Sequence, residues 1–264
     1  MMFSSRLFKL EFTRSLKSLI TWSLSIGLTM VFVIVLYPMV IDIYSAIPAE
    51  YQAFLDAFGG VPHNVVEYYA TEGVMMLQLF GGIFAALEGY NALNRDDKEK
   101  TVECIYQLPY SRTAILTTKL VKVIVNVLVF SIVVYFMSIL SFLVIGESYD
   151  GGDFLLFNVY NTIMFLMLAI LGFVLVVFMK PTQKSMGAIA FPFVFYIISV
   201  ISSVTNNETL ELLKHVTPFT FANPVDILKL GADFEWISFV VFTGLSILLT
   251  VAAYWRFQKR EFTV

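Results

Sequence analysis

Six apolar stretches, each long enough for one helical crossing of a bilayer, constrain this chain more than any other feature. They cover about residues 19–41, 74–93, 120–145, 154–179, 186–204 and 236–255. A helix needs roughly 17–25 apolar residues to cross about 30 Å of hydrocarbon. Composition points the same way: 58% of the residues are hydrophobic and 14% charged, against about 45–50% and about 25% in soluble domains. No polar stretch is long enough to fold a separate soluble core. The expected fold is therefore an all-α membrane protein, with residues 1–264 forming a single transmembrane domain. The first run is longer than the roughly 7–15 apolar residues of a secretory signal and has no small-residue cleavage site after it. It reads as a span.

Loop charge then fixes the expected orientation, because Lys and Arg collect on the cytoplasmic side. With the N terminus inside, 15 of the 17 basic residues fall in inner segments, and only Lys214 and Lys229 lie outside. The outer loops carry Asp42, Glu67, Glu72, Glu147, Asp150, Asp226 and Glu235, among other acids. The reading is a multi-pass protein of the cell membrane with both termini cytoplasmic.

The segments between the spans carry shorter patterns. Residues 1–18 interleave Phe3, Leu7, Leu10, Phe12 and Leu16 with Arg6, Lys9, Arg14 and Lys17, which predicts an amphipathic helix lying in the inner interface against anionic headgroups. The outer loop over 42–73 contains Tyr51, Phe54, Leu55 and Phe58 at helical spacing, ended by Gly59-Gly60. The outer loop over 205–235 predicts two short helices, near 210–216 and 225–230, with Asn223-Pro224 as a start signal and Gly231 as a stop. Between the second and third spans, residues 94–112 begin with mixed charge. Val102, Ile105 and Tyr106 then line one face of a short helix, with Leu108 before Pro109, and Ser111 stands where it can cap the next helix. Such a surface helix fits either a soluble partner or the lipid interface.

Within the spans, Glu88 is the one acidic residue. Near the cytoplasmic end of the second span it can reach water or pair with Lys119 or Lys122, which makes it structural first and a substrate or proton site second. Gln78 and Asn126 read as interhelical hydrogen-bond partners, and Gly81-Gly82 as a place where helices approach closely. Cys104 is the only cysteine, and His63 and His215 are far apart in the chain, so no metal site is expected. There is no G-x-x-x-x-G-K-[ST] loop for nucleotide phosphates. Basic residues spread over four segments do not form a nucleic-acid surface.

The stretch Glu99, Lys100-Thr101, Glu103, Ile105, Leu108-Pro109 and Ser111-Arg112, followed by Lys119, resembles the ABC type-2 permease family. There a charged stretch leads to a Gly/Lys-Thr-x-Glu segment, an apolar helix, a Pro and a Ser-Arg pair before the third span. Lys100 stands where many relatives have Gly. Two other stretches are similar to small Gram-positive exporters of antimicrobial or toxin-like peptides: Tyr37-Pro38 through Phe58-Gly59 to Glu72-Gly73, and Thr217-Pro218-Phe219 through Asn223-Pro224 to Gly231.

The resemblance implies a six-span permease that is not itself catalytic and binds no cofactor. Two ABC ATP-binding subunits carrying ATP-Mg would pair with two permease subunits, identical or related. It also implies a docking surface for the ATPase made of Asp97, Glu99, Lys100, Thr101, Val102, Glu103, Ile105, Tyr106, Leu108 and Arg112. The expected function is ATP-driven export of a hydrophobic or amphipathic substrate, peptide or lipid-like. The alternatives are an ion-gradient-driven secondary transporter, which would place charge or broken helices near the midplane, and a non-transporting resistance subunit.

Overall fold

The computed structural model describes residues 3–48, 61–99, 101, 109–178, 186–204, 212–230 and 234–259. Among these every regular element is helical, and six helices are long and apolar enough to cross a membrane.

The first span is one continuous helix, Ser5–Val35. The separate interfacial helix expected over 1–18 is replaced by the first half of this helix. No Pro interrupts it, and its only Gly is Gly27. Its buried positions Leu7, Glu11, Ser15, Leu19, Ser23, Ile26, Met30 and Ile34 form an unbroken stripe along its whole length, so the N-terminal part docks on the bundle as the rest does. Ser4 caps it, its hydroxyl accepting from the Leu7 N–H at 3.3 Å. The helix ends at Leu36, and a second helix, Tyr37–Ser45, starts with Pro38 in its first turn. Proline offers no N–H to continue the ladder but fits a helix start, so the apolar run expected to be one span to residue 41 is divided there.

The second span begins earlier than its hydropathy predicts. It runs through Val65–Tyr68, a π-helical turn Tyr69–Gly73, and Val74–Glu99. The Asn64 side chain caps this start by accepting from the Glu67 N–H at 2.9 Å, and the Glu67 carboxylate reaches back to accept from the His63 N–H at 2.9 Å and from the Asn64 side-chain amide at 3.0 Å. Glu67, Thr71 and Glu72 lower the hydropathy of this turn and hide it from an apolar-run search.

The third span is Arg112–Ile145, capped by Ser111, whose hydroxyl accepts from the Ala114 N–H at 3.2 Å. It stops at Gly146, whose φ of 75° is left-handed, the conformation that lets its N–H turn back to the Phe142 carbonyl at 3.1 Å. The fourth span, Gly151–Phe178, starts where the Asp150 carboxylate accepts from the Gly152 and Asp153 N–H groups. The fifth and sixth are Met186–Val204 and Trp236–Gln258. Residues 51–58, where a short outer helix is expected, lie outside the described residues. The segment after the fifth span, where two short helices are expected, holds 3-10 turns at Leu212–Val216 and Thr220–Ala222 and a π turn at Asp226–Leu230.

Packing is most extensive between the second and fourth spans and between the first and third. The second and fourth spans touch backbone to backbone. A Cβ on Gly89 would lie 1.9 Å from the Ala169 carbonyl oxygen, and one on Gly172 would lie 2.2 Å from that of Ala86. These two glycines set the close approach. Gly81 and Gly82 face the Phe165 and Leu168 side chains instead. The fifth and sixth spans are buried on narrow faces and expose most of their apolar surface.

Candidate functional site

The first three spans bring a band of charge together at the end of the bundle that carries the N terminus. Three stripes at helical spacing supply it: Glu11 and Ser15 on the first span, Glu88 and Asp96 on the second, and Lys119, Lys122 and Asn126 on the third. Spacings of three, four and seven or eight residues return side chains to one helix face, so the three stripes meet as layers.

In the layer nearest the chain end, Lys119 is completely buried. Its Nζ donates to Glu11 Oε1 at 2.7 Å and to the Ala92 carbonyl at 2.9 Å, and pairs with Asp96 Oδ2 at 2.7 Å. One cation thus holds three helices. Arg14 stands beside it, 3.1 Å from Asp96 Oδ1, 3.4 Å from Glu11 Oε1 and 2.5 Å from Glu99 Oε2. Arg95 donates to the Arg14 carbonyl at 2.9 Å and lies 3.8 Å from Glu99.

In the deeper layer Glu88 Oε1 accepts from Lys122 Nζ and, at 2.6 Å, from Asn126 Nδ2. Asn126 Nδ2 also lies 2.8 Å from the Ser15 hydroxyl, to which it donates. Lys122 is therefore the partner of Glu88. Lys119, the other neighbour the sequence offers, serves Glu11 and Asp96 instead, because it lies almost one turn nearer the chain end. Glu11, Glu88, Asp96 and Glu99 face Arg14, Arg95, Lys119 and Lys122, so the band is neutral in formal charge. Isolated ions this deep would be prohibitive, and pairing is the condition for their burial.

This geometry accompanies a match along nearly the full chain: the family model described as ABC-2 family transporter protein covers residues 6–262. The chain belongs to the ABC-2 transporter family. A comparison with curated proteins finds no match. ABC-2 members are membrane components of transporters and work with an ABC ATP-binding partner, so the permease reading of the chain stands on its family and on its six spans.

The expected docking residues of this ABC-2 permease divide into two groups. Lys100, Val102, Glu103, Ile105, Tyr106 and Leu108 lie outside the described residues, and so does the side chain of Asp97. Glu99, Thr101 and Arg112 are described; the first two adjoin the charged band and the third reaches the sixth span. Glu99 closes the second span against Arg14. The Thr101 N–H donates to the Asp96 carbonyl at 3.0 Å. Arg112, the first residue of the third span, donates to the Gln258 carbonyl at the end of the sixth at 3.0 Å.

Gln78 lies in the other half of the second span, where it donates to the Ala222 carbonyl at 2.7 Å and to Asn161 at 3.3 Å. It ties the segment between the fifth and sixth spans to the bundle and does not share the charged band with Glu88 and Asn126. Glu11, Ser15 and Asp96 are missing from the sequence reading of the site. Their signal was the four- and eight-residue spacing of Glu11–Ser15 and Glu88–Asp96, which matches the polar stripe of the third span.

At the far end, Lys214 lies 3.5 Å from Glu235. Nearby, burial raises the Asp226 carboxyl above the usual carboxylate range. Glu235 adds to the rise, while Lys214 and a hydrogen bond with Asn223 oppose it. Among the described residues no three His, Cys, Asp or Glu side chains group as metal ligands would.

Proposed function

We propose that this ABC-2 permease is the membrane subunit of an ATP-driven exporter, with the charged end of the bundle in the cytoplasm and both termini on that side. Two ATP-binding subunits carrying ATP-Mg dock on residues 97–112, and a second permease subunit, identical or related, completes the transporter. The cargo is hydrophobic or amphipathic, a peptide or a lipid-like molecule. The observation that carries this reading is the neutral ionic band at the roots of the second and third spans. Those two spans flank the docking segment, and a partner pushing there needs a firm connection into the bundle. The excess of Lys and Arg at the same end supports a cytoplasmic placement.

Glu88 is the residue on which an ion-gradient mechanism would depend. Its Oε1 holds both Lys122 and Asn126, which favours a structural role over a proton carrier. The proposal is tested by purifying the permease from its native membranes. It should retain an ABC ATP-binding subunit whose hydrolysis rate depends on the permease, and charge reversal at Asp97, Glu99 and Glu103 should abolish that dependence. A functional complex free of any nucleotide-hydrolysing subunit would refute it.

A further inference from the structure

We infer that Lys119 is a positioning residue for the transport cycle: it fastens the first helix to the second and third spans, so that the three roots move as one body when the ATP-binding subunits close. The inference rests on the exporter reading above, and it assigns work to a residue that the docking segment does not contain.

Three observations carry it. Lys119 reaches oxygens of two helices other than its own, Glu11 on the first span and both Asp96 and the Ala92 carbonyl on the second. It is completely buried. Asp96 in turn accepts the Thr101 N–H through its carbonyl, at the exit of the second span into the docking segment.

A buried ion triad contributes little stability beyond what apolar residues of the same volume would give, because desolvation offsets most of the attraction. Apolar side chains, however, can slide past one another, whereas charge-assisted hydrogen bonds have a fixed length and direction. What the triad adds is register between three helices. Arg14 repeats the device beside it, joining Glu11, Asp96 and Glu99. The first helix therefore has no independent movement against the second span at this end, and displacement of the docking segment reaches all three spans together.

The test uses the full permease with its ATP-binding subunits in liposomes, with spin labels at Lys9→Cys and Lys98→Cys and Cys104 replaced by Ser. In the otherwise wild-type complex the interspin distance should be the same with and without bound nucleotide. The charge-balanced variant Glu11→Gln/Lys119→Met should keep its melting temperature within a few degrees of wild type. Its distance distribution should broaden and shift on nucleotide binding, and stimulation of ATP hydrolysis by the permease should fall about tenfold, a loss within the range of allosteric couplings. Should that variant fail to fold, Glu11→Gln alone keeps an acceptor at the same place and should give a smaller change in the same direction.

A folded variant with wild-type stimulation and an unmoved distance overturns the positioning role and leaves the exporter reading intact. Absence of permease-dependent hydrolysis in the wild-type complex overturns the exporter reading, and the positioning role falls with it.

Discussion

The two halves of the second span are fastened by opposite chemistry. At one end Glu88, Asp96 and Glu99 meet the cations of the first and third spans and, in the Arg95–Glu99 pair, of the second itself. At the other end the π-helical turn Tyr69–Gly73 sets Tyr69 among Phe142, Phe154 and Phe157, with ring centroids 5.4 to 6.4 Å apart. Lys119 at one end and Tyr69 at the other are both completely buried, yet the two ends tolerate motion differently. Rings packed edge to face keep most of their contact energy through small displacements, whereas a buried ion that loses its partner bears an unshielded desolvation penalty. A π turn also marks a place where a helix is locally rewound. The molecule is thus stiff in register where the second and third spans meet residues 97–112 and more adaptable at the far end.

That contrast can be broken by substitution. The largest effect is expected from Lys119→Met, which leaves two buried carboxylates, Glu11 and Asp96, sharing Arg14 as their one remaining cation. Removing one partner of a buried pair costs about 3–5 kcal/mol, and the variant should melt far below wild type or fail to accumulate. Gly89→Leu comes next, because its first side-chain atom already meets the Ala169 carbonyl. Overpacking of this kind costs about 1–3 kcal/mol, and here the second and fourth spans must separate, which crosslinking between them would detect. Tyr69→Phe keeps the ring contacts of the aromatic end and removes only its hydroxyl. It should change melting by about 1 kcal/mol or less. A loss as large as that of Lys119→Met would erase the distinction between the two ends.

The smallest effect concerns pH at the far end. Asp226 has its carboxyl raised in the folded protein, mainly by burial. Folding therefore favours its neutral form relative to the unfolded chain, and the segment around it is most stable below the ordinary carboxylate range. That stability is lost as pH rises through the interval up to the raised value. Amide exchange across Leu212–Val216 should quicken slightly on going from acid to neutral pH, and Asp226→Asn should remove the dependence.

Much of this architecture is legible in the sequence, because a bilayer-length apolar run admits few structures. The third, fourth, fifth and sixth spans lie close to where hydropathy puts them, and the Ser111 cap follows from its place before Arg112. What hydropathy cannot read is a polar residue that is buried by pairing. Glu11 and Ser15 look like part of a solvated amphipathic segment until Lys119 and Asn126 face them across the bundle, and this is why the first helix seemed to need an interfacial portion. Gly89 and Gly172 are likewise silent in the sequence, since a glycine shows its contact only once the opposing backbone is in place. Gly81-Gly82, the more conspicuous pair, meets side chains.

The central claim is that the first and third spans are joined by a specific ionic contact and not merely by apolar packing. A double-mutant cycle on Glu11→Gln and Lys119→Met, read by thermal melting of the purified permease, tests it most directly. The account predicts strong non-additivity, with the double variant more stable than Lys119→Met alone and a coupling of about 1–3 kcal/mol. Additive losses, with the double variant the least stable of the set, would contradict it.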